Sequence, residues 1–472
     1  MTDTHGHIER RGIDLVPESA RYGKPRDLMF LWAGTTTTVF TVVYGAFVVA
    51  LGLSFVQSVV VIVLGNLLAY PLLGLASVQG PVTGTTTLTI SRSSYGPRGG
   101  RILGVFAWLT LVGFEAGGLI LVVFAALTLL DGAGVASTAP VQIVTIVVLA
   151  AVQLLLPLFG HSVMMKAQKY FSTIFALAFL VMAILVLPKV DLGATTGTGA
   201  SASTMIVGIA LIMASGGLSW APAGSNFSRY LPVGTSKRAV GTYAAVGGFV
   251  PYVLLQVLGA ATASITLDVA DPISGLPAVL PAWFVVPYLV LAMVSLLVQN
   301  STNLYSSGLN LQTAGFRVSR VTMVVIDTVI CAIITYIAVV GQSFYDLLNA
   351  FLSLLVIWLA PWVAIYVTDW LMRRGRYDLP SLASETGGRY WGRGGYRTSG
   401  LVAQAVGMVV AALWVNTTTY VGPLATLTGG ADLSIPASIA VAALIYGLLA
   451  RREREQPTTD PSPLQTEGAH TR

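Results

Sequence analysis

Few residues of this chain can do chemistry, and most of them stand inside long apolar runs. Glu115 lies in the middle of the run 102–130, and Asp327 lies within 321–340. At the centre of a bilayer a carboxylate costs on the order of 2.5–3.5 kcal/mol even on insertion scales, so Glu115 is expected to face a cavity or a partner. Asp327 is expected to tie its helix to a neighbour, while Asp346 and Asp369 sit near the ends of the run 344–371, where water is close. The segment 299–306 carries Gln299, Asn300, Ser301, Thr302 and Asn303 in succession. Gln299 and Asn303 are one helical turn apart and share a face, with Asn300 beside them. Amides donate and accept together, which suits a planar heterocycle whose edge presents both kinds of group. Ser301, Ser306 and Ser307 read more simply as hydrogen bonds between helices. Trp220, Phe114 and Trp108 offer flat faces on which such a ring can stack.

Two backbone interruptions accompany these side chains. Trp32-Ala33-Gly34 is followed by four threonines, Thr35 to Thr38, and the segment 215–224 contains Gly216, Gly217, Trp220 and Pro222. Both should break a helix in mid-membrane. Broken helices are tolerated there only where protein or a wet cavity satisfies the freed amides and carbonyls, and transporters use such breaks to bind substrates and ions. Gly65, Gly74, Gly247, Gly248 and Gly259 are assigned instead to close helix packing. His5, His7 and His470 lie in polar tails, and His161 alone lies near an apolar run. Cys331 has no second cysteine, which excludes a disulfide and a cysteine metal centre.

Composition sets the elements that must position these groups. Of 472 residues, 55% are hydrophobic and only 10% charged, against about 25% charged in soluble domains; mean hydropathy is +0.77. Most of the surface must meet lipid, which excludes a secreted domain, a cytosolic enzyme and a nucleic-acid binder despite a net charge of +6. At about 20 apolar residues per crossing, twelve transmembrane helices are expected. They are 28–53, 55–78, 102–130, 141–159, 170–187, 205–227, 240–263, 283–309, 321–340, 344–371, 401–420 and 435–449. The runs are continuously apolar instead of alternating, which argues against a barrel. With the N-terminus placed in the cytoplasm, 25 of the 26 Lys and Arg fall in cytoplasmic segments and only Lys189 faces outward, so both termini are expected to be cytoplasmic. The polar segment 1–27 does not look like a cleavable signal, and it and the tail 451–472 are expected to be partly disordered. The interrupted helices 1 and 6 are five spans apart, an odd number, so the second copy would be inverted. This predicts an all-α membrane protein with one repeat in 28–189, a second in 203–371, and helices 11 and 12 appended in 399–450.

Five short motifs in order give the chain a family resemblance: Gly12 to Glu18 with Arg21; Ser91-Arg92 with Tyr95-Gly96; Ser228-Arg229-Tyr230-Leu231-Pro232; Asn303-Leu304-Tyr305-Ser306; and Trp358 to Trp362 with Asp369. On these it resembles the nucleobase:cation symporter-1 family, the purine-cytosine permease group, over nearly its whole length. The resemblance implies a LeuT-type 5+5 inverted repeat in which helices 1, 3, 6 and 8 surround one planar substrate. It places the substrate contacts on Gly216, Gly217 and Trp220 of helix 6 and on Asn303 or Gln299 of helix 8. Family members carry a tryptophan four residues before a Gln or Asn on helix 3; here Glu115 matches the amide, the tryptophan position is Leu111, and Trp108 stands one turn earlier. The family often has an aspartate where this chain has Asn226.

The same resemblance frames the coupling cation, the only cofactor-like species expected. A sodium site in this fold needs carbonyls of the broken helix 1, around Gly34, Thr35 and Thr38, and hydroxyls of helix 8. The segment 294–298 is poor in hydroxyls, and Ser301 and Thr302 serve only with a shifted register. Glu115 supplies a titratable group, so proton coupling is preferred to sodium. A membrane-embedded enzyme would need His clusters, paired acids or an activated nucleophile, and a channel a polar ring along a pore; neither pattern is seen. An amino-acid carrier would have to meet a charged ammonium and carboxylate, whereas the residues above are neutral amides, aromatics and one acid. The expected function is therefore import of a nucleobase-like heterocycle, with hydantoin, allantoin, a vitamin or an amino acid as alternatives. The expected setting is the plasma membrane, with the lipid bilayer and a small substrate as partners and no nucleic acid or obligate protein partner.

Overall fold

A computed structural model of the chain describes residues 12–190, 200–316, 319–341, 344–417 and 419–453. His5, His7, His470 and the side chain of Asp346 lie outside the described residues. The described chain is helical, with only two isolated β-bridges, Arg393 to Tyr396 and Asn416 to Val421.

Among the described residues ten helices are long and apolar enough to cross a membrane, and a bent pair, Pro25–Thr36 and Val39–Ala50, adds an eleventh if it is one span. We keep the numbering of the expected runs. Helix 1 is the bent pair; helices 2 to 5 are Phe55–Thr83, Arg92–Gly132, Ala139–Phe159 and His161–Val186. Helices 6 to 10 are Ala202–Ser228, Lys237–Ala263, Ala282–Thr313, Arg320–Gly341 and Phe344–Arg373. Helix 11 is the shorter apolar Thr398–Trp414, and helix 12 is Ser434–Arg452.

Three boundaries differ from the expected ones by six residues or more. Helix 5 begins at His161, nine residues before the expected start at 170, because Gly160 turns the chain at φ 83° and the polar stretch that follows continues the helix. Helix 3 begins at Arg92 instead of 102 and kinks where Gly96 takes φ 76° ahead of Pro97. Helix 11 stops at Trp414 rather than 420: Val415 is extended, and Asn416 pairs with Val421 in a tight return. The expected run closes with Val415-Asn416-Thr417-Thr418-Thr419-Tyr420, a stretch rich in β-branched residues, which favour extended backbone.

Helices five apart in sequence pack on one another: helix 2 runs along helix 7, and helix 3 along helix 8. Helix 1 lies between helices 5 and 7, and helix 12 packs between helices 10 and 11. The crossings are tight enough to demand glycine. A Cβ at Gly45 would sit 1.9 Å from the Gln256 carbonyl oxygen, and one at Gly259 1.8 Å from that of Val42, so helices 1 and 7 meet backbone to backbone. Gly65, Gly74, Gly247 and Gly248 also lie at helix crossings. The outward faces of helices 4 and 5 expose Val144, Val147, Val148, Ile174, Leu177 and Ile184, as expected of surfaces that meet lipid.

Candidate functional site

Both expected interruptions are present, and side chains satisfy the backbone they free. The two halves of helix 1 are bent by 63° across Thr37 and Thr38. The threonines repair the gap themselves. Thr36 Oγ1 donates to Trp32 O at 2.7 Å, Thr37 Oγ1 to Ala33 O at 2.6 Å, and Thr41 Oγ1 to Thr36 O at 2.6 Å. In helix 6 the chain leaves helical geometry at Gly216 (φ −123°, ψ −117°), resumes at Gly217–Trp220, tightens to a 3-10 turn at Ala221–Ala223, and continues as Gly224–Ser228. The Tyr252 hydroxyl of helix 7 donates to the Ser215 carbonyl at this break. Gly217 lets helix 6 touch helix 2, since a Cβ there would lie 2.5 Å from the Ala69 carbonyl carbon; Gly216 abuts the Tyr252 ring. Trp220 is 5% exposed and meets Trp32 of helix 1 edge to face, with ring centroids 5.5 Å apart.

On helix 8 the amides divide in two. Asn300 is spent on its neighbours, donating to Glu115 O at 2.9 Å and to Gln153 Oε1 at 3.2 Å, so it ties helices 3, 4 and 8 together. Asn303 donates to Asn300 Oδ1 at 3.4 Å, yet Asn303 Oδ1 and Gln299 Oε1 are buried with no hydrogen-bond donor among the described residues. Phe114 is half-buried and packs edge-on against Phe351 at 5.1 Å. Ser301 Oγ donates to Val298 O of its own helix at 2.7 Å.

Between helices 1, 5 and 8 stands a residue that the sequence reading missed. Gln168 Nε2 donates to Thr302 Oγ1 at 3.0 Å and to Val298 O at 3.4 Å, and Thr302 Oγ1 meets Thr35 Oγ1 at 3.2 Å. Gly34 makes the room, since a Cβ there would lie 2.2 Å from Gln168 Oε1. Thr38 Oγ1 is buried nearby in sequence and has no partner among the described residues. The signal for Gln168 was its spacing: Met164, Gln168, Ser172, Phe175, Phe179 and Met182 form one buried helical stripe, which the late helix start had cut off.

Glu115 and Trp108 face helix 9. Trp108 Nε1 donates to Asp327 Oδ1 at 3.1 Å, and Cys331 Sγ lies 3.4 Å from Glu115 Oε2. Glu115, Asp327 and Cys331 are all fully buried, and one ligand-type atom from each lies within 4.8 Å of the other two. Asp327 does tie its helix to helix 3, through Trp108 and Glu115.

The five motifs pair up in space at the face that carries the N-terminal segment. Arg229 donates to Gly12 O at 2.7 Å and to Tyr305 Oη at 3.3 Å, joining three of them. Tyr22 Oη meets His161 Nδ1 at 2.6 Å, and His161 Nε2 meets Phe227 O at 3.0 Å. The other two motifs join where Trp362 Nε1 donates to Ser91 Oγ at 3.2 Å and Ser93 Oγ donates to Asp369 Oδ2 at 2.6 Å. Asn226 Oδ1 accepts from Thr87 N at 3.2 Å, which gives that position a helix-joining contact. In the connection between helices 10 and 11, Glu385 accepts from Arg101 and Arg92 at the start of helix 3, at 2.7 and 3.0 Å. Burial opposes the charge of Glu385, but the two guanidinium groups outweigh it and hold the carboxyl below its ordinary range.

Paired breaks in helices 1 and 6, with helices five apart packed on each other, define a transporter of the LeuT-type inverted-repeat fold. The same fold is found in Mhp1, a nucleobase-cation-symport-1 family transporter, closed with bromovinylhydantoin bound (TM-score 0.78, 18% identity, 94% of this chain and 95% of that one). A Na+-coupled sialic acid symporter is similar at TM-score 0.58 and 12% identity, over 94% of this chain and 93% of that one. The family model described as "Permease for cytosine/purines, uracil, thiamine, allantoin" matches residues 15–436, and the chain belongs to that family. A curated Bacillus subtilis (strain 168) relative named "Putative purine-cytosine permease YxlA" is 27% identical over 453 residues, covering 94% of this chain and 96% of the relative.

Proposed function

We propose that the chain imports a nucleobase or a related planar heterocycle, purine or cytosine first, by proton symport and alternating access across the cell membrane, with both termini cytoplasmic. Family membership supports the class of solute. The observation that carries the site is the pair of buried acceptors Gln299 Oε1 and Asn303 Oδ1, which have no donor among the described residues. A buried acceptor left dry costs about 1–3 kcal/mol, and ring N–H groups of a nucleobase offset that cost. Trp220 supplies the aromatic wall, and Phe114, Gly216 and Gly217 complete the surroundings. The two repeats, 28–189 and 203–371, rock about this site, and the appended helices 11 and 12 stay outside it.

The coupling reading rests on Gln168 and Glu115. A sodium ion between helices 1 and 8 needs oxygen ligands, and two of those available, Val298 O and Thr302 Oγ1, are already bonded by the Gln168 amide. An N–H donor and a cation compete for the same lone pairs. A proton needs only a carboxyl, and Glu115 supplies one. The substrate reading is tested by thermal-shift binding of purines, pyrimidines, hydantoins and allantoin to the purified protein. Stabilisation by a purine or cytosine is expected; stabilisation by hydantoins or allantoin alone would move the assignment within the family, and no response to any of them would overturn it.

A further inference from the structure

Resting on that proton reading, we infer that Glu115 and Asp327 form one proton-binding unit: the coupled proton is shared between Glu115 Oε1 and Asp327 Oδ2, and Asp327 is as necessary to coupling as Glu115. The four carboxylate oxygens are not equivalent. Cys331 Sγ reaches Glu115 Oε2 at 3.4 Å, and Trp108 Nε1 reaches Asp327 Oδ1 at 3.1 Å. The remaining two, Glu115 Oε1 and Asp327 Oδ2, are buried and have no hydrogen-bond partner among the described residues, and a carboxylate oxygen of each acid lies within 4.8 Å of one on the other. Ionised carboxylates only accept hydrogen bonds. Two neighbouring carboxylates are satisfied when one proton lies between them, as an O–H···O⁻ bond of the strong charge-assisted kind. The pair then carries one proton and one negative charge, which the Trp108 N–H and the Cys331 S–H help to hold.

The groups around the pair leave the proton no rival. Helix 9 contributes Cys331, helix 3 Trp108, and helix 8 the neutral Ser307 and Asn300. Among the described residues no Lys, Arg or His forms an ion pair with either acid. The pair is also wired to the substrate amides. Asn303 donates to Asn300 Oδ1 at 3.4 Å, and Asn300 donates to Glu115 O at 2.9 Å, so a ligand that engages Asn303 acts on the helix 3 backbone that carries Glu115. Strongly interacting acids titrate as a pair and not as single residues.

The test uses the full chain in proteoliposomes, with wild type, Glu115→Gln, Asp327→Asn and the double variant. Nucleobase exchange, accumulation under an imposed pH gradient, and proton movement with uptake are read together. Each amide supplies permanently the hydrogen that the pair otherwise borrows. Asp327→Asn is therefore expected to keep exchange, to lose about tenfold or more of its gradient-driven accumulation, and to lose substrate-linked proton movement. The double variant should be no worse than either single one. Asp327→Glu, which retains the pair, should restore proton movement and serves as the control for folding. Full accumulation and proton movement by Asp327→Asn would overturn the shared site while leaving Glu115 as the proton carrier. A wild type that ignores the pH gradient would overturn the proton reading itself and this inference with it.

Discussion

Removing one hydroxyl tests whether the break in helix 6 is a built part of the site. In Tyr252→Phe the ring remains, with its edge contact to Tyr70 at 5.6 Å, and only the donor to the Ser215 carbonyl disappears. That carbonyl is freed by the non-helical Gly216, where φ is −123° and ψ is −117°, and it lies in a buried segment. An acceptor stripped of its partner in such a place costs about 1–3 kcal/mol. If that cost falls on the substrate-bound geometry, affinity drops roughly 5- to 150-fold. Calorimetric titration of the detergent-purified variant with its preferred nucleobase measures the loss, and thermal unfolding measures any part that falls on stability. Unchanged affinity together with an unchanged unfolding temperature would refute the claim that the break is held by Tyr252.

Trp220→Ala should weaken nucleobase binding by about 2 kcal/mol or more, as buried aromatic anchors commonly do; equal affinity in correctly folded protein would remove Trp220 from the site. Cysteines introduced at the exposed Gly134 and Ser274 should be labelled from outside intact cells, with Cys331 silent because it is buried; protection of both new cysteines would contradict the proposed orientation. Glu385 is held below its ordinary range, so its contribution is present above the unfolded-state value near about 4.3 and fades as pH falls through the lower folded value. Because Glu385 is 36% exposed, Glu385→Gln should cost no more than about 1 kcal/mol at neutral pH, and the gap from wild type should close in acid; a gap that widens in acid would reverse the sign of this argument.

Local chemistry made the breaks legible, since a run of four threonines and the pair Gly216-Gly217 both weaken regular helix, although the first break falls at Thr37 and Thr38 and leaves Gly34 helical. The amides of helix 8 were legible as a cluster, but their division of labour was not. Whether Asn300 or Asn303 is spent on helix packing depends on Gly118, which leaves space for the Asn300 amide, and on Gln153 of another helix. Glu115 and Asp327 are far apart in sequence, so although each was expected to find a partner, neither could be read as the other's neighbour. Gln168 was hidden by a boundary: the lysines around it, Lys166 and Lys169, suggested a loop, whereas the helix continues because those side chains leave its buried stripe intact. Helix 11 erred in the opposite direction, since hydropathy counts Val415 and Tyr420 as span residues while their β-forming neighbours turn the chain back.

The central claim is that nucleobase uptake is driven by protons through Glu115 and not by sodium. Its most direct measurement is uptake of the preferred nucleobase into proteoliposomes with a pH gradient and a sodium gradient imposed separately, for wild type and Glu115→Gln. Wild type is expected to accumulate substrate under the pH gradient alone, and Glu115→Gln to exchange without accumulating; uptake that follows sodium, ignores pH and survives the substitution would contradict proton coupling through Glu115.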